Sequence, residues 1–355
     1  YFKTDILSYN EEEIYKNNAF DLENDLLLKV GKLNNKLFFC FSDIVIDGFS
    51  INNFLKELDF TYNCIYHKKL IKFNYTNSFY EYINNEKKIN NQEIEFWRDK
   101  LNKNLFTPFP LSEQNEESST EDRIKYTIEG IQLEKLNLFI NKKKITFFDL
   151  FLSAIFILIY KYTNKNYLCL DTILGTNQGA FDNKLIGLLN NTLLLPIGLN
   201  PEMNLDEYLN YIKILKKSYL ENSNTELEKI VSHLKIDSLP NIRIHFEYFN
   251  KYYKNGIKLG DSRLSSDFIE NSSNSIRQLI IFNFAVNKHN LDCFISYKKK
   301  CFNIQNILEL KNNLMDIINI YLDDNISSLN DILEKIKKKT NFKFNYEYNM
   351  DKRLL

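Results

Sequence analysis

Glycine and proline are scarce in this chain of 355 residues, at 9 and 5, and histidine is scarcer still at 4. The few glycines are not spaced as in a P-loop or a Rossmann turn, and nowhere are His, Cys, Asp or Glu spaced as metal ligands. The five cysteines (Cys40, Cys64, Cys169, Cys293 and Cys301) are odd in number, widely spaced and lack a CxxC pair. That argues against a disulfide framework. Cys40, Cys169 and Cys293 lie in apolar, strand-like stretches and read as small core residues, so a reducing cytoplasm is the expected compartment. Neither sign of charge is in excess, since Lys+Arg and Asp+Glu both total 46. This removes the electrostatic case for nucleic acid or an anionic membrane as partner. The lysine runs at 142–144, 298–300 and 337–339 read as solvated helix ends and turns. Long apolar runs are also missing: the best, Phe147 to Tyr160, is too short to span a bilayer, contains Asp149 and reads as a buried helix. The opening Tyr1-Phe2-Lys3-Thr4-Asp5 carries no signal-peptide pattern.

What is present is core material. Apolar residues make up 44% and aromatics 14%, enough for two lobes in a chain of this length and too much for disorder. A helix tail is expected at Glu11 to Ala19. A hairpin follows, with strands Leu26 to Leu33 and Leu37 to Ile46 turned by Asn34-Asn35. A short amphipathic helix then carries Ile51, Phe54, Leu55 and Leu58, and helices fill Thr76 to Leu101. The polar stretch Thr107 to Asp122 is the best linker. Beyond it come strands at Arg123 to Ile128, Tyr167 to Leu174, Thr192 to Ile197, Ile242 to Phe249, Leu279 to Val286 and Leu291 to Tyr297. Helices are expected around Leu133 to Ile140, after the capping box Thr146-x-x-Asp149, at Leu205 to Tyr219 and at Ile304 to Tyr321. The division is therefore 1–106 as a first lobe, 107–122 as linker, 123–335 as a second lobe and 336–355 as tail or interdomain linker.

The heptad Ser42-Asp43-Ile44-Val45-Ile46-Asp47-Gly48 ends the first apolar strand, where a rigid element can fix a side chain. With Ser50, its Asp47-Gly48 half resembles the His-His-x-x-x-Asp-Gly signature of condensation domains from nonribosomal peptide synthetases. Other segments resemble that family in the right order. They are Phe20-Asp21-Leu22, Phe96-Trp97 through Leu101, Thr172 through Gly179, Ile186-Gly187-Leu188-Leu189-Asn190-Asn191-Thr192-Leu193, Leu227-Glu228-Lys229-Ile230-Val231 and Phe246 through Asn250. The resemblance begins part-way into the family pattern, so an incomplete first lobe is expected.

The resemblance implies an α/β fold, a pseudo-dimer of two chloramphenicol acetyltransferase-like lobes. A tunnel between the lobes admits phosphopantetheine arms from peptidyl carrier proteins, and neighbouring synthetase domains are the other partners. An acceptor amine attacks a donor thioester to form an amide, with no metal and no cofactor bound by the domain itself. The family's histidines fall on Ser42 and Asp43. A histidine there is worth roughly 10²–10⁴ in rate as acid–base catalyst, whereas an aspartate, with an ordinary pKa of about 3.9, is a weak base. Asp43 could hold an ammonium, but a decayed, solvated position is the simpler reading, so an impaired or inactive copy is expected.

Alternatives are a stand-alone acyltransferase on a small alcohol or amine, or a platform for carrier proteins or tailoring enzymes. A heterocyclisation domain is a lesser one, since Ser42-x-x-x-x-Asp47-x-x-Ser50 keeps two of that variant's three positions. Among the histidines, His67 and His233 read as surface groups, and His289 lies in an Asn287-Lys288-His289-Asn290 turn. His245 shares a strand face with Arg243 and Glu247 and is the candidate substitute base, against the commoner role in a structural network. Asn190, Asn191 and Thr192 are candidate tunnel residues, or a locally satisfied loop.

Overall fold

The computed structural model of the chain describes residues 20–33, 36–71, 90–107, 109, 121–175, 185–247, 257–264, 278–287, 289–323 and 328–336. The expected helix tail at 11–19, the Asn34-Asn35 turn, residues 76–89, 108, 110–120, 176–184 and 248–250, and the tail from 337 lie outside them. In chain order the first elements are an antiparallel hairpin, β1 (Leu28–Leu33) and β2 (Lys36–Phe41), registered from Leu28 opposite Phe41 to Leu33 opposite Lys36. The strand expected to reach Ile46 stops at Phe41. There the chain turns instead, with the Val45 N–H donating to the Ser42 carbonyl at 3.1 Å.

Helix α1 (Gly48–Tyr66) follows, 19 residues where a short helix was expected. Next come α2 (Asn91–Lys100), β3 (Glu121–Glu129), α3 (Gly130–Lys143) and α4 (Phe147–Thr163). The start of α4 carries the capping box that the sequence indicates: Thr146 and Asp149 each accept the other's backbone N–H. The chain continues through β4 (Tyr167–Leu174), β5 (Asn191–Gly198), α5 (Leu205–Glu221), α6 (Leu227–Leu234) and β6 (Ile242–Glu247). The last elements are β7 (Ile257–Leu259), β8 (Ser262–Leu264), β9 (Ile280–Val286), β10 (Asn290–Lys298), α7 (Ile304–Tyr321) and α8 (Leu329–Lys335).

These elements divide between two compact units, each drawn from separate stretches of chain. The first comprises residues 1–86, 175–190 and 249–274. In it Phe54 of α1 packs edge-on against Phe39 and Phe41 of β2, with ring centroids 5.3 and 5.1 Å away. The C-terminal end of α1 holds the β7–β8 hairpin. Asn63 accepts the Gly260 N–H at 2.9 Å and donates to the Lys258 carbonyl at 2.6 Å, and the Tyr66 hydroxyl donates to Asp261 at 2.7 Å. Gly260 has φ +61°, and a Cβ there would lie 3.1 Å from the Tyr66 ring, so glycine is favoured on both counts.

The second unit comprises residues 87–174, 191–248 and 275–355 and is built on a six-stranded sheet of order β3-β10-β9-β6-β4-β5. The β9–β6 and β6–β4 neighbours are parallel and the other pairs antiparallel. Alternation on β6 sends Ile242, Ile244 and Phe246 inward, where Phe246 meets Phe148 and Phe151 of α4. Arg243 and His245 take the opposite face. Helix α4 is buried almost throughout, from Leu150 to Ile159, as the core of this unit. The β5 edge is closed by proline and tyrosine: Pro196 has no N–H to offer, and its carbonyl accepts the hydroxyl of Tyr219 from α5. At the start of the expected linker, Thr107 is buried, and its backbone exchanges two 2.9 Å hydrogen bonds with the Asn241 side chain. No single helix among the described residues is long and apolar enough to cross a membrane.

Candidate functional site

The retained half of the heptad is a latch within the first unit. Asp47 is 8% exposed and is the N-cap of α1. One carboxylate oxygen accepts the Ser50 N–H at 2.8 Å, and the other reaches across to the Leu189 N–H at 2.9 Å. The Asp47 N–H donates to the Gly187 carbonyl at 3.2 Å. Ser50, fully buried, donates its hydroxyl to that same carbonyl at 2.8 Å and accepts the Gly187 N–H at 3.2 Å. One turn on, Asn53 donates to the Leu185 carbonyl at 2.9 Å. Asp47, Ser50 and Asn53 therefore fasten the segment Leu185–Leu189 to the first turns of α1. The three-residue spacing of these polar side chains was the only sequence signal for Asn53.

The replaced half of the heptad behaves differently. Ser42 is buried, with its N–H donating to the Leu27 carbonyl at 3.0 Å, while Asp43 is exposed. Gly48 is also exposed, and a Cβ built on it would meet nothing within 4 Å among the described residues. Its backbone does not require glycine.

The candidate residues 190–192 straddle the crossing from the first unit to the second, which falls after Asn190. Asn190 is exposed. Asn191 is engaged: its amide donates to the Ser223 and Thr225 carbonyls at 3.1 and 3.2 Å, and its side-chain oxygen accepts the Thr192 N–H at 2.8 Å. Thr192 is half-buried.

His245 belongs to a polar ladder on the second unit's sheet. Arg243 grips the buried Asp171 with two hydrogen bonds, at 2.6 and 3.0 Å, and Gln278 adds a third at 3.0 Å. His245 hydrogen-bonds Asn283, its partner on β9. Burial, reinforced by the Arg243 charge, lowers the imidazole from 6.5 to about 4, so it is neutral at pH 7 and a weak base. Asp171 went unread in the sequence, although a carboxylate inside the apolar run of β4 was the available signal. His67, His233 and His289 are all exposed. Among the described residues no group of three or more His, Cys, Asp or Glu side chains is placed to hold a metal ion. Burial pushes the thiols of Cys40, Cys169 and Cys293 up, away from the thiolate form a nucleophile needs.

Comparison with known proteins gives this geometry its context. The family model for the condensation domain matches residues 3–339. Gramicidin S synthase 2 of Aneurinibacillus migulanus is 22% identical over 256 residues, which is 65% of this chain and 6% of that protein. The chain thus spans only a small fraction of such curated relatives. Among solved structures, the X-domain from teicoplanin biosynthesis superposes with a TM-score of 0.75 at 15% identity, covering 92% of this chain and 80% of that one. The first condensation domain of the calcium-dependent antibiotic synthetase, in complex with a substrate analogue, gives 0.66 at 11% identity, covering 88% and 70%. At these identities the structural likeness is one of fold. A family match that runs through both units, and not over the heptad alone, makes this chain a member of the condensation domain family.

Proposed function

We propose that this chain is the condensation-type domain of a nonribosomal peptide synthetase, receiving aminoacyl or peptidyl thioesters on the phosphopantetheine arms of carrier proteins. Its amide-forming chemistry is impaired. One observation carries the reading: the latch that shapes the site is intact, while an exposed Asp43 and a buried Ser42 stand where the family has its histidines. An aspartate there can hold an ammonium but is a poor acceptor of its proton at neutral pH. His245 offers little help, since a base near 4 removes a proton from an ammonium weakly. The domain itself binds no cofactor in this reading, because the reactive arm belongs to its partners. The five cysteines are thiols and not disulfides, which suits a reducing cytoplasm.

The test uses the domain in its full-length protein, with donor and acceptor carriers loaded and the condensed product followed by mass spectrometry. Wild type is expected to give product at the background rate, and the Asp43→His variant to gain on the order of 10²-fold. Wild-type product that vanishes on Asp43→Ala would overturn the impairment. Product that survives Asp43→Ala but not His245→Ala would move the chemistry to β6.

A further inference from the structure

Glu93 is a buried acid outside both the Asp47 latch and the Arg243–Asp171 ladder. It is 3% exposed in the second unit, and the partners it has among the described residues are all neutral. The Thr225 N–H donates to it at 2.8 Å, the Thr225 hydroxyl at 2.7 Å, Asn224 at 2.9 Å and Asn90 at 3.5 Å. A carboxylate removed from water is costly unless such donors surround it, and its place in the first turn of α2 adds the favourable end of the helix dipole. One turn later Trp97 donates its indole N–H to the Asn222 carbonyl at 2.9 Å and stacks on Tyr219. Helix α2 therefore grips the 222–225 loop at two points.

That loop in turn holds the crossing strand. The Ser223 and Thr225 carbonyls are the acceptors for the Asn191 amide, and the Asn191 oxygen takes the Thr192 N–H. Glu93, Thr225, Asn191 and Thr192 form one continuous chain of hydrogen bonds. We infer that Glu93 is a positioning residue, which sets the backbone of Asn191 and Thr192 for the carrier-borne substrate through Thr225 and Asn191. The inference rests on the condensation reading for what those residues face. The hydrogen-bond chain does not depend on it.

The experiment therefore has two arms: amide hydrogen exchange, and binding of leucyl-pantetheine amide, a non-hydrolysable stand-in for the carrier-borne thioester. Glu93→Ala is expected to speed exchange at Thr225 and Thr192 and to weaken probe binding, each about tenfold, as loss of an acceptor to buried donors implies. Glu93→Gln keeps one oxygen for both the Thr225 N–H and the Thr225 hydroxyl, and the Asn224 side chain can flip to accept from the new amide. It should recover both quantities to within about threefold, a rescue that bulk loss of stability would not show. If Glu93→Ala does not fold, Thr225→Val, which keeps the backbone N–H, is expected to speed Thr192 exchange in the same direction. Thr192 exchange unchanged in both Glu93→Ala and Thr225→Val overturns the inference. So does faster exchange with unaltered probe affinity. A wild-type protein that does not bind the probe sinks the condensation reading instead, and Thr192 exchange then decides the inference.

Discussion

Replacing Asp47 by alanine should cost about 3 kcal/mol, and the figure can be built from two separable contacts. Losing the cap on the Ser50 N–H removes about 1 kcal/mol. The Leu189 N–H, on a residue 2% exposed, loses its carboxylate partner and is left buried and unpaired, at about 1–3 kcal/mol. Asp47→Asn separates the two. Its remaining oxygen can still cap Ser50, but its amide turns a donor toward the Leu189 N–H, so it should cost about 2 kcal/mol. Urea unfolding followed by far-UV circular dichroism measures the sum. The sole tryptophan, Trp97, lies in the other unit, so its fluorescence reports the wrong place. Exchange at the Leu189 amide gives the local value, and about 3 kcal/mol corresponds to roughly 10²-fold faster opening. Costs below about 0.5 kcal/mol for alanine would refute the latch, and equal costs for alanine and asparagine would refute its division into two contacts.

His245 makes stability depend on acid. Its folded pKa of about 4 lies below the ordinary 6.5, so between those values the unfolded chain binds more protons and stability falls as pH falls. The contribution is whole above about pH 6.5 and lost as pH drops through 4, at most about 3 kcal/mol. Urea midpoints at pH 7 and pH 4 should therefore converge in His245→Gln, and an unchanged gap would contradict the assignment. Two glycines offer an opposed pair: Gly260→Ala, at φ +61° and against the Tyr66 ring, should cost about 1–3 kcal/mol. Gly48→Ala, with no neighbour to meet among the described residues, should change thermal stability by less than about 0.5 kcal/mol, and a loss as large as that of Gly260→Ala would mean the space beside it is filled.

The second unit was largely legible because its elements repeat a period long enough to read. The strand at Tyr167 to Leu174 and the helix at Ile304 to Tyr321 have the bounds that the apolar pattern gives. The first unit was less so. Exposed Phe60, Tyr62, Ile65 and Tyr66 blur the stripe of α1 and hide its length. Strands of three residues, as in β7 and β8, are too short for alternation to register. Helix α8 was hidden in the opposite way: Leu329, Ile332 and Leu333 carry the helical spacing, but lysines close by masked it. At the site, the identities of Asp47 and Ser50 could be read, but their acceptors and donors could not. Ser50 meets Gly187 across 137 positions, and no local pattern encodes a contact of that span. The same distance concealed Glu93, whose partners Asn224 and Thr225 lie more than 130 residues downstream.

The first unit's division into three stretches has a consequence for synthesis. A ribosome that has finished residue 86 must add roughly 190 more residues before the last stretch of that unit emerges. At typical elongation speeds that is a wait of about 10–40 s. During it Asp47, Ser50 and Asn53 have no backbone to hold until Leu185–Leu189 arrives, and α1 must remain soluble with its latch open. Co-translational folding of this chain is thus paced by its own interleaving. Nascent chains arrested before residue 185 should be recognisable by protease sensitivity across α1, which chains released past residue 274 would lack.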